Sequence, residues 1–276
     1  MQNIYPIHAF KDNYIWIIHN NNHAIVVDPG IASPVIEYLH TNKLQLSAIL
    51  ITHHHNDHTG GNAELLKLFD APVYGPMHEL ISTVTHPVRE GDQINLQAMS
   101  LDFTVLEIPG HTRGHIAYYG TNPIKHLFCG DTLFACGCGR IFEGTAQQMY
   151  HSLKKLSRLP DDTLVYCAHE YTLNNIYFAR TVDPKNLKLA ELEVTMQALR
   201  RQNIPTIPTT LALEKTVNPF LRCDQPEIID SVQKYTDKIL LTPLDIFTEL
   251  RNSVKISKGV KSILSVYFCT LSIISG

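Results

Sequence analysis

Residues 52–58 read Thr-His-His-His-Asn-Asp-His and directly follow the apolar segment 47–51. The apolar segment predicts a buried strand, and residues i and i+2 of an extended chain point to the same side. His53 and His55 can therefore share one metal ion, while His54 points elsewhere. The pattern predicts a metal site at the end of a strand.

Two further ligands follow the turn that must come after this strand. Asp57 and His58 face the same pocket from a second side. This set is too large for one closed tetrahedral site and suits two adjacent metals with open positions. Residues 59–62 (Thr-Gly-Gly-Asn) then predict a tight turn into a helix, which is not the setting of a solvated histidine run.

The composition is that of an ordinary soluble enzyme, with 276 residues, 44% hydrophobic and 18% charged residues, and a net charge of -3. Because no long charge run is present, we expect no nucleic-acid partner. The first residues lack the pattern of a secretory signal, and six cysteines without a disulfide framework favour a reduced, cytoplasmic compartment. Cys136-Gly137-Cys138 favours small residues in a glycine-rich loop over a metal or redox pair.

Strand patterns dominate the first half of the chain and helical patterns the second. Residues 14–18 and 23–27 predict a hairpin, and Thr145 begins a capping-box helix. We place a boundary near residue 170. Residues 1–170 would form the metal-binding catalytic domain, and residues 171–276 a smaller, mostly helical domain.

Three further ligand-type residues each follow an apolar strand pattern: His111, Asp131 and His169. Any one of them alone would more often be structural, but the cluster needs partners. His54 and His115 favour packing or ligand-orienting roles. We expect one metal on His53, His55 and His111, a second on Asp57, His58 and His169, and Asp131 as a bridge.

These residues give the chain a resemblance to the metallo-β-lactamase superfamily, whose hallmark T-H-x-H-x-D-H stands at residues 52–58. Within it, the chain resembles glyoxalase II, the hydroxyacylglutathione hydrolases. The segments that carry this closer resemblance are residues 12–14, 130–134, 137–145, 169–172 and 217–222. The resemblance covers about residues 1–251.

The resemblance implies an α/β fold, a four-layer αβ/βα sandwich of two mixed sheets followed by the smaller C-terminal helical domain. It implies hydrolysis of S-D-lactoylglutathione, a small-molecule glutathione thioester, to D-lactate and glutathione, the second step of methylglyoxal detoxification. Two divalent metals, zinc first and iron or manganese as alternatives, suit these ligands. Asp57 and Asp131 would act with a bridging hydroxide that attacks the thioester carbonyl.

The resemblance also implies a set of substrate-binding residues: Arg140, Phe142, Tyr171, Arg251 and Lys255. Two of them depart from the family pattern. Phe142 lacks the hydroxyl of the tyrosine that is frequent there. Lys255 lies one position after the usual lysine, where this chain has Val254, and this shift rotates the side chain by about 100° on a helix.

Other functions remain open at this stage. A persulfide dioxygenase would use one iron on the same fold, whereas a lactonase, a nuclease or a non-enzymatic binding protein fits the residues less well. We expect a monomer without a stable membrane anchor. Residues 256–276 form an apolar tail whose segment 262–275 is shorter than the ~20 residues that span a bilayer. An extra strand or helix, a weak membrane contact and a reading-frame shift near residue 252 compete to explain this tail.

Overall fold

Two six-stranded sheets form the centre of the computed structural model, which describes residues 3–253. The first sheet has the order β1 (Asn3–Ala9), β2 (Asn13–His19), β3 (His23–Val27), β4 (Gln45–Leu50), β5 (Val73–Pro76) and β6 (His86–Val88). The second has the order β14 (Thr209–Thr210), β13 (Leu164–Cys167), β10 (His126–Gly130), β9 (Ile116–Gly120), β8 (Leu101–Glu107) and β7 (Gln93–Leu96). A small hairpin pairs β11 (Leu133–Phe134) with β12 (Gly137–Cys138). Both large sheets mix parallel and antiparallel pairs.

Helices flank the sheets and dominate the second half. They are α1 (Ser33–Thr41), α2 (Asn56–Thr59), α3 (Asn62–Leu68), α4 (Ala146–Ser157), α5 (Thr172–Val182), α6 (Leu187–Arg201), α7 (Leu211–Val217), α8 (Pro226–Thr236) and α9, residues 243–253. The predicted capping box is confirmed, since Thr145 Oγ1 accepts from the Gln148 backbone and the Gln148 side chain accepts from Thr145 N.

Strand β2 shows why the chain forms layers. Its side chains alternate between two buried clusters, so both faces of the first sheet are covered. Tyr14, Trp16 and Ile18 pack with Phe103 and Val105 of the second sheet. Ile15 and Ile17 pack with residues of α1 and α3, such as Leu39 and Leu65. The expected αβ/βα sandwich is confirmed.

The helical half also contributes to a sheet. Strand β14 pairs with β13, so an edge strand from beyond residue 170 joins the second sheet. The division into residues 1–170 and 171–276 stays a prediction. No helix within residues 3–253 is long and apolar enough to cross a bilayer. Lys255 and the apolar tail lie outside the described residues.

Candidate metal centre and substrate pocket

The seven predicted ligands come together because each follows the end of a strand or begins the next turn. His53 and His55 follow β4, His111 follows β8, Asp131 follows β10 and His169 follows β13. The short helix α2 carries Asp57 and His58. Strand ends hold such side chains rigidly while the adjoining loops leave room for a substrate.

Three imidazoles form the first ligand group. His55 Nδ1 lies 3.1 Å from both His53 Nε2 and His111 Nε2. Two ligand atoms about 2.1 Å from a tetrahedral zinc ion lie about 3.4 Å apart. The spacing therefore fits one cation between the three nitrogens.

The second ligand group is Asp57, His58 and His169. Asp57 Oδ2 lies 3.5 Å from His58 Nε2 and 3.6 Å from His169 Nε2. His58 Nε2 is buried and has no hydrogen-bond partner among residues 3–253. A buried polar atom without a partner is costly, and a bound cation would satisfy it.

Asp131 stands between the two groups. Its Oδ1 lies 3.2 Å from His169 Nε2 and 3.6 Å from His58 Nε2, while its Oδ2 lies 3.4 Å from His111 Nε2. One carboxylate thus faces both groups, as a bridge requires. Gly139 permits this position, because a Cβ there would lie 1.8 Å from the Asp131 carbonyl oxygen.

The second ring nitrogen of each of four ligand histidines is held by an oxygen atom. His58 Nδ1 donates to Asp28, His169 Nδ1 to Asp12 and His111 Nδ1 to the Arg140 carbonyl, and His53 Nδ1 lies 3.0 Å from Thr52 Oγ1. Such contacts fix the tautomer and the ring orientation that metal binding needs.

The protonation of the first group and of the bridge suits metal binding. Burial, reinforced by the neighbouring His58 and His115, lowers the pKa of His53 well below its usual value. Burial would raise the pKa of Asp131, but His169 and His58 lower it far below its usual range. Neutral imidazoles and ionised carboxylates are the forms that bind metals.

His58 has the opposite shift. Burial lowers its pKa, but Asp28 and Asp131 raise it well above its usual value. A cation at the second group would therefore displace a proton from His58.

Two acidic residues that sequence reasoning did not assign support the site. Asp28 is buried and accepts from Thr52 N at 2.8 Å, Thr52 Oγ1 at 2.7 Å and His58 Nδ1 at 3.0 Å. Asp28 follows the end of β3, which is the same signal that found the other ligands. Glu79 accepts from His54 N, Thr112 Oγ1 and Gly114 N, and no sequence motif marks it.

His54 and His115 both lie beside the ligands. The His115 ring stacks on that of His53 with 4.6 Å between centroids, and its Nε2 accepts from Asp131 N. His54 Nδ1 lies 2.9 Å from Glu79 and its Nε2 lies 3.1 Å from Glu143.

A cavity of about 460 Å³ opens from the ligands, and four of the predicted substrate residues line it: Arg140, Phe142, Tyr171 and Arg251. The fifth, Lys255, lies outside the described residues. Phe134, Asn174 and Asn175 also line the cavity, and sequence reasoning did not assign them a role.

The lining residues differ in exposure and in their contacts. Tyr171 stacks on His169 with 4.8 Å between ring centroids. Arg251 is only 5% exposed, donates to the Cys138 carbonyl at 3.2 Å and lies over the Phe220 ring. Phe142 is 60% exposed, with its ring edge-on to His55.

Comparison with known proteins agrees with this geometry. The sequence model of the metallo-beta-lactamase superfamily matches residues 10–169, and that of the hydroxyacylglutathione hydrolase C-terminus matches residues 170–254. The hydroxyacylglutathione hydrolase of Nitrosomonas eutropha is 57% identical over 252 residues, which are 91% of this chain and 98% of the relative. This chain belongs to the hydroxyacylglutathione hydrolase family. The hydroxyacylglutathione hydrolase of Vibrio vulnificus is 53% identical over 253 residues, with the same two coverages.

Solved structures agree on the fold of this family member. The crystal structure of ETHE1 from Myxococcus xanthus has a TM-score of 0.61 and 26% identity, and covers 92% of this chain and 98% of that one. TTHA1623, solved in a di-iron-bound form, has a TM-score of 0.57 and 25% identity over 79% of this chain and 100% of its own. Together with the two ligand groups, the family identifies a site for divalent metal.

Proposed function

We propose that this chain is a metal-dependent thioesterase with two metals, which hydrolyses S-D-lactoylglutathione and related 2-hydroxyacylglutathiones to the hydroxy acid and glutathione. One observation carries the proposal: Asp131 joins two ligand groups at the base of a cavity that also exposes Arg140 and Tyr171. The family relatives carry the same activity in their name.

The donor set defines what the site can hold. Its nitrogen and oxygen atoms accept zinc, which we expect, and also iron or manganese. Cations held by these residues would lower the pKa of a coordinated water to about 7 and would stabilise a developing oxyanion. The side chains of the protein would orient the water and bind the substrate.

Asp57 and Asp131 would orient the attacking water. Asp57 is itself held by Asn13, whose Nδ2 donates to Asp57 Oδ2 at 3.0 Å. The His58 ring, whose Nε2 lies 3.5 Å from Asp57 Oδ2, is the largest cause that lowers the pKa of Asp57, so this carboxylate stays ionised at neutral pH. An ionised carboxylate can accept a hydrogen bond from the water and so direct a lone pair of the water oxygen at the carbonyl carbon.

The cavity wall supplies the complement to glutathione, which carries a net negative charge. Arg251 is buried and Arg140 is exposed, and both line the cavity, so both guanidinium groups can meet carboxylates. Tyr171 would contact the peptide. A thiolate leaves readily, so the reaction needs no strong general acid.

The persulfide dioxygenase alternative would leave part of the ligand set idle. Asp57, His58 and His169 form a complete second group within 4.8 Å of one another, which favours two metals and hydrolysis. The named relatives point the same way.

The direct test is to supply the metal-loaded protein with S-D-lactoylglutathione and to follow free thiol and D-lactate together. Equal release of both products supports the proposal. Oxygen consumption with glutathione persulfide is measured in parallel. Oxygen uptake without thioester hydrolysis would refute the proposed function.

A further inference from the structure

A buried carboxylate in the helical half contacts the wall of the substrate cavity. Glu214 of α7 is 0% exposed and accepts three hydrogen bonds, from Cys136 N at 2.8 Å, Thr209 Oγ1 at 2.8 Å and Asn218 Nδ2 at 2.9 Å. A buried carboxylate is costly unless it is fully hydrogen-bonded, so these donors fix its position. None of the three contacts belongs to the metal ligands.

Asn218 extends this contact to the hairpin of β11 and β12. Its Nδ2 also lies 3.1 Å from the Phe134 carbonyl and 2.9 Å from the Gly137 carbonyl, so its two protons are shared among these two oxygens and Glu214. Cys136, at the tip, has a φ of 55°, a left-handed conformation that a residue with a side chain rarely adopts. Glu214 and Asn218 together offset the cost of that conformation and hold the hairpin.

Glu214 and Asn218 are linked to Arg251 through two chains of contacts. The hairpin presents the Cys138 carbonyl, which accepts from Arg251 Nη1. Asn218 Oδ1 accepts from Phe220 N at 3.1 Å, and the Phe220 ring lies 5.7 Å from the Arg251 guanidinium carbon. Both supports of this cation thus depend on Asn218.

Arg251 keeps guanidinium donors for a ligand. Among residues 3–253 it donates through Nη1 alone, to Cys138, and its side chain lines the cavity. A planar guanidinium binds a carboxylate well only when its orientation is fixed beforehand.

We propose that Glu214 and Asn218 are positioning residues that set Arg251 and the hairpin wall for a carboxylate of the glutathione moiety. The inference rests on the proposed function and adds to it the origin of substrate affinity. Part of the substrate affinity would then depend on Glu214 of α7, which is 0% exposed and lies away from the reacting atoms.

The variants follow from the hydrogen-bond pattern. Glu214→Ala removes the acceptor of Cys136 and Asn218. Glu214→Gln should restore it, because the amide oxygen can accept both of these bonds while the amide nitrogen donates to the Thr209 hydroxyl. Thr209→Val is the matched control, since it removes one bond to Glu214 and leaves the hairpin contacts in place. Asn218→Ser tests the same wall if Glu214→Ala does not fold.

The measurements are the dissociation constant of S-methylglutathione by calorimetry, and KM and kcat for S-D-lactoylglutathione. We expect Glu214→Ala, or Asn218→Ser, to raise both KM and the dissociation constant about tenfold. This is the size of one lost charge-assisted hydrogen bond between Arg251 and the ligand. Metal content and kcat should stay near wild type. Glu214→Gln and Thr209→Val should stay within about twofold. Combined with Arg251→Ala, the Glu214→Ala effect should largely disappear, because both act on one contact.

Two outcomes would overturn the inference. One is unchanged affinity in a folded Glu214→Ala or Asn218→Ser protein, and the other is full additivity with Arg251→Ala. The activity of the wild-type protein distinguishes a failure of the proposed function from a failure of the positioning role. A wild-type protein that fails to hydrolyse the thioester removes the proposed function, whereas an active one with unaffected variants removes only the role of Glu214 and Asn218.

Discussion

Asp28→Asn is a small change with a large expected effect on metal binding. In the native site, Asp28 Oδ1 accepts from Thr52 N, and Oδ2 accepts from Thr52 Oγ1 and His58 Nδ1. An amide must place its NH2 group on one of these two positions. If the NH2 group faces His58, two donors meet at His58 Nδ1. The ring proton then moves to Nε2, the atom that would bind the metal. If the NH2 group faces Thr52, it leaves a buried backbone N–H unsatisfied.

Both arrangements have a calculable cost. Loss of an orienting partner lowers metal affinity about 10–100-fold, or about 1.4–2.7 kcal/mol. An unsatisfied buried N–H costs about 1–3 kcal/mol of stability. Competition titration against a chromophoric chelator measures the first effect and urea unfolding the second. Asp102→Asn, an exposed carboxylate on β8, is the control. Wild-type affinity and stability in Asp28→Asn would refute this reasoning.

Three further predictions address the cavity, the buried carboxylate and the tail. Arg140→Ala should raise KM more than it lowers kcat, because a distant carboxylate contact is similar in ground and transition states; a lower kcat at unchanged KM in steady-state kinetics would contradict the assignment. Burial raises the pKa of Glu214 from 4.5 to about 7. Protonated Glu214 therefore contributes fully to the free energy of unfolding below about pH 4.5, and this contribution is lost as the pH rises through 7. The facing thiols of Cys136 and Cys167 have pKa values raised by burial and stay neutral in this range. Glu214→Gln should therefore gain up to about 3 kcal/mol over wild type between pH 4.5 and 8 in urea unfolding, and a pH-independent difference would refute this. Truncation after Lys255 should leave metal content and kcat near wild type and improve solubility, whereas lost folding or activity would make the tail part of the enzyme.

The ligand positions could be predicted because they combine two local signals. Each candidate is a metal-type residue, and each follows an apolar strand, so the sheet edge brings them together. The convergence of His53, His111 and Asp131 follows from strand order, which sequence alone did not supply. The resemblance to a known family supplied the sandwich.

The supporting residues could not be found in this way. Glu79 and Glu214 lie in a loop and in a helix and meet their partners only through tertiary contacts. Their sequence neighbours carry no period or motif that indicates burial. Short strands were missed for a related reason: β6 contains Pro87, and β14 has two residues, so neither shows a strand pattern.

Metal stoichiometry tests the central claim most directly. Elemental analysis of fully loaded protein should give two metals per chain, because Asp131 joins two complete ligand groups. Replacement of Asp131 by Ala should lower the count and abolish thioester hydrolysis. A firm value of one metal per chain, with Asp57→Ala and His169→Ala still fully active, would contradict the account.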